Sequence, residues 1–220
     1  MNILEHQTVF HIAGVGVTET VVATWGLVAV LGTVGVVAGR QVEAQPSGWQ
    51  AVLEWGLTWL RGFTEQVTGT DGAPYVPLVA TVGIFILTAN TMSVIPYVKA
   101  PTADLNTPLA LAVIVFFSVH YFGAQRLGVR RYALSFASPS IILLPMNVLS
   151  NLTRTFSLAI RLFGNMLSHQ VIVAVLLLVL PLVLPALLEV FGLFIGILQA
   201  YIFTILTVVY IGGAVRGEAT

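Results

Sequence analysis

Between Val15 and Ile211 the sequence is a series of apolar runs joined by short polar links, most of them long enough to cross a bilayer. A membrane span needs about 20 predominantly apolar residues. In lipid every backbone N–H and C=O must be satisfied inside the protein, which leaves helices as the solution for runs of this kind. Composition agrees, with 57% of the 220 residues hydrophobic and 8% charged, against roughly 25% charged in a soluble domain. Nine basic and nine acidic residues balance, which argues against a nucleic-acid binder relying on a basic surface. Without cysteine there is no disulfide framework, thiolate nucleophile or cysteine metal site. The sequence therefore reads as an all-α polytopic membrane protein.

The expected organisation is a single membrane domain over residues 1–220. A short polar outer segment, 1–14, carries Glu5, His6 and His11, and lacks the basic start of a signal peptide, so the apolar segments are expected to be retained. A first span covers 15–38. Residues 48–67, for which Ser47 is a candidate cap, place Trp49, Val52, Leu53, Leu60, Phe63 and Val67 opposite Gln50, Glu54, Arg61 and Glu65. With Trp49, Trp55 and Trp59 so close together, this is an amphipathic helix in the membrane interface. Second and third spans occupy 78–122, separated by a linker with Asp104, Asn106 or Thr107 as cap and Pro108 in the first turn. Arg126, Arg130 and Arg131 follow as the densest basic cluster. The long pair, 140–213, comprises a helical pattern over 140–180, with an interruption expected at Pro145, a turn at Pro181–Pro185, and a last helix over about 186–211.

Five spans with an outer N-terminus place Arg40, Arg61, Arg126, Arg130, Arg131 and Arg216 inside and only Lys99 outside, in keeping with the positive-inside rule. The expected architecture is thus about five membrane helices plus one interfacial helix. A helix of about 40 residues would measure roughly 60 Å, against a hydrocarbon core of about 30 Å. The last two helices are therefore expected to form a steeply tilted hairpin.

Within that pair, Ser150, Arg154, Ser157, Arg161, Asn165 and Ser168 follow one another at spacings of 4, 3, 4, 4 and 3 and share one helical face. An arginine at mid-bilayer costs about 2.5–3.5 kcal/mol on insertion scales and cannot shed that cost by losing its proton. Arg154 either snorkels to the inner interface or stands on an access path. Arg161, seven residues deeper, either pairs with Glu189 or faces an aqueous pocket or a partner's carboxylate. His169 is a hydrogen-bonded core histidine or a proton acceptor titrating near neutrality. On the last helix Glu189, Gly192, Gly196 and Gln199 recur at 3, 4 and 3, where glycines allow close helix approach or leave room for water.

If the two helices run antiparallel, Glu189 and His169 mark a polar path from outside to the membrane centre. Ser157, Arg154, Ser150 and Asn147 mark one from the centre to the inside. The paths meet at the fixed charge of Arg161. An ion cannot pass it directly and must be carried round by a partner.

The run Ser157–Met166 (SLAIRLFGNM) strongly resembles the signature of subunit a of F-type ATP synthases. Leu198–Thr207 (LQAYIFTILT) resembles its last-helix signature and Pro101–Thr107 (PTADLNT) its pre-helix linker. The likeness runs from about residue 90 to the end. It implies an ion-translocating stator subunit with two offset half-channels, which pass H⁺, or alternatively Na⁺, to and from carboxylates on a rotating ring of c subunits. Arg161 would be the essential arginine that prevents leakage, Gln199 the characteristic glutamine, and Asn165 the asparagine four residues after the arginine. The resemblance also implies peripheral-stalk b-type subunits and membrane lipid as partners, no cofactor, and a bacterial inner membrane with the C-terminus cytoplasmic.

Three positions depart from the family pattern. Gln170 stands where an ionisable residue is usual, nine after the arginine, with His169 one step earlier. Gly192 stands seven before the glutamine, where a second ionisable group is frequent, with Glu189 nearly a turn away. Asn147 replaces a carboxylate that some members carry fourteen before the arginine. His169 and Glu189 are expected to replace the outer pair by compensating shifts.

The sequence carries no GxxxxGK[ST] phosphate loop, so nucleotide chemistry falls to other subunits. A self-contained transporter would call for an inverted repeat, which is not seen. A haem-bearing redox subunit calls for two deep histidines. Only His169 is deep, His120 lying near the inner end of its helix.

Overall fold

The computed structural model describes residues 8–12, 15–42, 48–94, 100–136, 142, 144–179 and 183–217. Glu5, His6, Ser47, Lys99 and Pro181, singled out above, lie outside them. The described elements are a hairpin of β1 (Thr8–Ile12) and β2 (Val15–Thr18), then α1 (Glu19–Arg40), α2 (Trp49–Thr68), α3 (Val76–Thr91), α4 (Asn106–Leu127), α5 (Val129–Ser135), α6 (Leu144–Val179) and α7 (Val183–Arg216). Short 3₁₀ turns follow α3 at Met92–Val94 and precede α4 at Pro101–Ala103. The architecture is that of an all-α polytopic membrane protein with one small hairpin added.

Among the described residues four helices, α1, α4, α6 and α7, are long and apolar enough to cross a membrane. The sequence reading has five spans. The fifth, α3, has 16 residues, about 24 Å at 1.5 Å per residue, and is continued by its 3₁₀ turn. The first span begins at Glu19 rather than at residue 15, because Val15–Thr18 pairs antiparallel with Thr8–Ile12. Valine and threonine suit a pleated strand, and apolar content alone does not separate them from the helix that follows. Pro145 does not interrupt α6, since it stands in the first turn, where its missing N–H costs nothing. Pro185 likewise stands in the first turn of α7, which starts earlier and ends later than expected. At 36 and 34 residues these helices measure about 54 and 51 Å, so a hydrocarbon core of about 30 Å requires both to tilt.

The chain divides into two compact units. The first comprises residues Met1–Arg40, Ile84–Pro108 and Ile160–Tyr201, the second Gln41–Gly83, Leu109–Ala159 and Ile202–Thr220. In the first unit the enclosed side chains include Ile86, Ala89, Leu162, Met166 and Ala200. Here the linker also settles which residue caps α4. Asp104 Oδ1 accepts the Asn106 backbone N–H at 3.1 Å and its side-chain amide at 2.9 Å, while Oδ2 accepts the Thr20 hydroxyl at 2.6 Å.

In the second unit Val79, Val115, Phe203, Val208 and Ile211 are enclosed. α2 turns Trp49, Val52, Leu53, Trp55 and Trp59 outward and buries Gln50, Thr64 and Thr68. Water would favour the reverse, and a helix in the membrane interface explains it. At its end Arg61 pairs with Glu65 and Asp71, each at 2.9 Å. The Ala73 N–H, with help from Arg61, holds the Asp71 carboxyl below its usual range. α5 packs the Tyr132 ring against Gly123 of α4, and burial pushes its hydroxyl up to about 12.

α2 ends at Gly69, whose φ of 68° closes the helix with an N–H to Glu65 O at 2.9 Å. A Gly69→Ala substitution is expected to lower stability by about 1 kcal/mol, because a β-carbon disfavours that conformation. Gly62→Ala, inside the same helix with open space around it, is expected to raise stability by about 0.5–1 kcal/mol. Thermal unfolding of the detergent-solubilised protein checks both signs.

Candidate functional site

The polar stripe of α6 is divided between the two units, with the boundary between Ala159 and Ile160. In the first unit Leu162 and Met166 are enclosed, whereas Ile160, Arg161, Asn165 and Ser168 are exposed. Helical periodicity forces this outcome: when the apolar ridge at 162 and 166 turns inward, the ridge at 161, 165 and 168 turns out. Arg161 therefore presents its guanidinium away from its own unit. Among the described residues it has no ion-pair or hydrogen-bond partner. The pairing with Glu189 that the sequence leaves open is not formed.

Glu189 is instead beside His169, with Oε2 3.4 Å from the ring Nε2. The two side chains retain 31% and 11% of their exposure, so the pair is largely enclosed on the histidine side and open to its surroundings on the carboxylate side. Gly192 makes the arrangement possible. A β-carbon there would coincide with the His169 ring, so the imidazole occupies the room that the missing side chain leaves. The departures from the family pattern thus fit together: the imidazole needs the glycine, and the carboxylate stands one turn before it. Gln170, one residue further, has no hydrogen-bond partner among the described residues.

Gln199 is buried at 3% exposure. Its Oε1 accepts the Asn165 amide at 2.9 Å, and its Nε2 is enclosed without a hydrogen-bond partner among the described residues. This contact ties α6 to α7 one turn beyond Arg161. It also leaves a buried donor open, a state that costs about 1–3 kcal/mol.

In the second unit Ser150, Arg154 and Ser157 line a recess of about 400 Å³ together with Met146, Leu149, Thr153 and Tyr210. The Arg154 guanidinium carbon lies 5.8 Å from the centroid of the Tyr210 ring, a cation–π contact that holds the charge beside the recess. Asn147 does not line it. Its amide donates to the Phe136 carbonyl at 2.9 Å and ties the start of α6 to the end of α5. His120 rests among Phe116, Tyr132 and Phe136 with Nδ1 on the Phe116 carbonyl at 2.7 Å.

Sequence reasoning passed over Tyr210 and Asn90. Tyr210 stands in an apolar run and carries a role only through what α7 brings it against. Asn90 is noticeable as an amide within an apolar helix, and its burial at 2% with partners on two other segments is the feature that the spacing could not reveal.

A multi-pass membrane subunit follows from these features, one with a fixed cation turned outward and polar pairs ordered along two long helices. The family model described as ATP synthase A chain matches residues 21–212. The "ATP synthase subunit a 2" of Bradyrhizobium sp. is 46% identical over 216 residues, covering 98% of this chain and 97% of the relative. That of Pelobacter propionicus is 42% identical, covering 96% and 92%, and the "ATP synthase subunit a" of Moorella thermoacetica is 40% identical, covering 96% of each. The chain belongs to the ATP synthase A chain family. It is the ion-translocating, non-catalytic membrane subunit of a bacterial ATP synthase, it works in a complex with other membrane-sector subunits, and ATP chemistry resides elsewhere in that complex.

The room at Gly192 yields a direct expectation. Gly192→Ala should displace the His169 ring from Glu189 and lower ATP-driven ion transport to about the level of His169→Ala, with assembly unchanged. Proton uptake by inverted membrane vesicles, normalised to assembled complex, measures it.

Proposed function

We propose that the chain forms two offset half-paths for H⁺, joined only through carboxylates on a rotating ring of c subunits, with Arg161 as the barrier between them. The observation that carries the reading is the Arg161 guanidinium, exposed on its unit and without a carboxylate of its own among the described residues. A permanent cation facing lipid would be costly, so a carboxylate from a neighbour is the favourable occupant of that face. It also holds the facing carboxylate ionised, because an opposite charge close by favours the charged form.

The outer half-path runs through Glu189 and His169 towards Asn165 and Gln199, with Gln170 beside it. An imidazole next to a carboxylate is proton-relay chemistry, which favours H⁺ over Na⁺ as the coupling ion. The inner half-path takes Ser157, Arg154 and Ser150, where the recess supplies room for water, and Asn147 shapes its end. The N-terminus is outside and the C-terminus cytoplasmic in the bacterial inner membrane, as the lysine and arginine distribution supports. The ring docks on the 140–213 helix pair, and b-type subunits of the peripheral stalk are further partners.

Arg161→Ala is expected to abolish ATP-driven H⁺ uptake while the complex still assembles. Uptake at the wild-type rate in that variant would reject the reading. Glu189→Gln and His169→Ala are expected to slow transport without uncoupling it, and wild-type rates in the double variant would remove both from the path. Uptake that requires Na⁺ and leaves a pH indicator unchanged would transfer the same geometry to Na⁺.

A further inference from the structure

Asn90 lies on α3, outside both half-paths, and is the one polar side chain of that helix enclosed to 2% exposure. Its Oδ1 accepts the Thr102 hydroxyl at 2.8 Å, its Nδ2 donates to the Gly196 carbonyl of α7 at 3.0 Å, and its own backbone carbonyl accepts Ser93 Oγ at 2.7 Å. Thr102 is fully enclosed. The Gly196 carbonyl can only accept, so the amide nitrogen must face it, and the oxygen is then the atom left for Thr102. One side chain thus joins α3, the Pro101–Ala103 turn and α7.

We propose that Asn90, with Thr102 and Gly196, is a positioning clamp that sets the axial register of α7 and so holds Gln199 against Asn165. The proposal rests on the reading that ions pass by this part of α7. Gly196 is adapted to the contact: a β-carbon there would stand 3.0 Å from Asn90 Cβ, closer than a side chain tolerates without displacement. Gln199 follows three residues later, so its position is fixed by the same turn of helix. A slip of one residue moves a helix by about 1.5 Å and turns it by about 100°, which would carry Gln199 away from Asn165.

Apolar packing gives little resistance to such a slip. Phe194, Ile197 and Leu198 on this stretch are exposed, and lipid is as apolar as the neighbouring helices, so these three side chains supply no register of their own. A directional hydrogen bond to one backbone carbonyl does. The clamp works through Gln199 and touches no ion, so Asn90 is a positioning residue.

The test compares substitutions that keep volume and remove hydrogen bonds. In membranes of the whole complex, Asn90→Leu and Thr102→Val are expected to assemble and to lower ATP-driven transport per complex about tenfold, the equivalent of one broken buried hydrogen bond. Thr102→Ser, which keeps the hydroxyl and loses only a methyl group, is expected to stay within about twofold of wild type. A role confined to packing predicts the opposite order, because valine matches threonine in shape. Transport by Thr102→Val equal to or above that of Thr102→Ser therefore overturns the clamp, as does Asn90→Leu at the wild-type rate. Should Asn90→Leu fail to assemble, the order of the two Thr102 variants decides alone. Arg161→Ala in the same membranes separates the two proposals: if it transports normally the ion-path reading fails, and if it is inactive while Asn90→Leu is normal, only the clamp fails.

Discussion

A guanidinium that cannot lose its proton, placed on a helix that lipid surrounds, is the constraint on which the rest of this molecule depends. Other ionisable groups escape burial by becoming neutral. Arg161 has no such route, so the fold must either pair it internally or turn it towards a neighbour. Leu162 and Met166 take the interior of the first unit, and the only carboxylate of α7, Glu189, is engaged by His169. Both commitments send Arg161 outward. Among the described residues the cation is therefore left without a counter-charge, which suits a subunit that works in a complex with other membrane-sector subunits.

The same helix pair shows how glycine creates polar sites inside lipid. Gly192 and Gly196 lie four residues apart on one face of α7, and each makes room for a side chain from another segment, His169 from α6 at the first and Asn90 from α3 at the second. Neither void is empty and neither merely brings backbones together. Small residues in membrane helices are usually discussed as surfaces for close packing. Here they act as sockets, each taken by a polar side chain from another segment.

The sequence made the helices, the stripe and the 3–4–3 pattern of α7 legible, because these are properties of periodicity and need no partner. It also put His169 and Glu189 forward together, since two departures from a pattern that offset each other leave a trace in spacing, and the two side chains stand 3.4 Å apart. What it left open was selection among partners. Arg161 with Glu189 and His169 with Glu189 are both compatible with antiparallel helices, and only packing of the Leu162 ridge decides between them. Asn147 has the right position for the inner path, yet the Phe136 carbonyl captures its amide. The hairpin before α1 escaped notice because its valines read equally well as the start of a span.

Gln199 links these threads. A glutamine side chain has several hydrogen-bonding positions, and Asn165 occupies one. Exchanging oxygen and nitrogen in both amides would preserve their contact and leave a buried Gln199 oxygen unpaired instead of a nitrogen, so one enclosed polar atom stays open in either arrangement. Within a subunit that folds for its own stability this is a cost of about 1–3 kcal/mol without return. The open atom belongs to the contact with Asn165, one helical turn beyond the exposed Arg161. In the proposed ion path Arg161 is paired from outside by a ring carboxylate, while the enclosed amide stays a local cost that the proposed register of α7 holds in place.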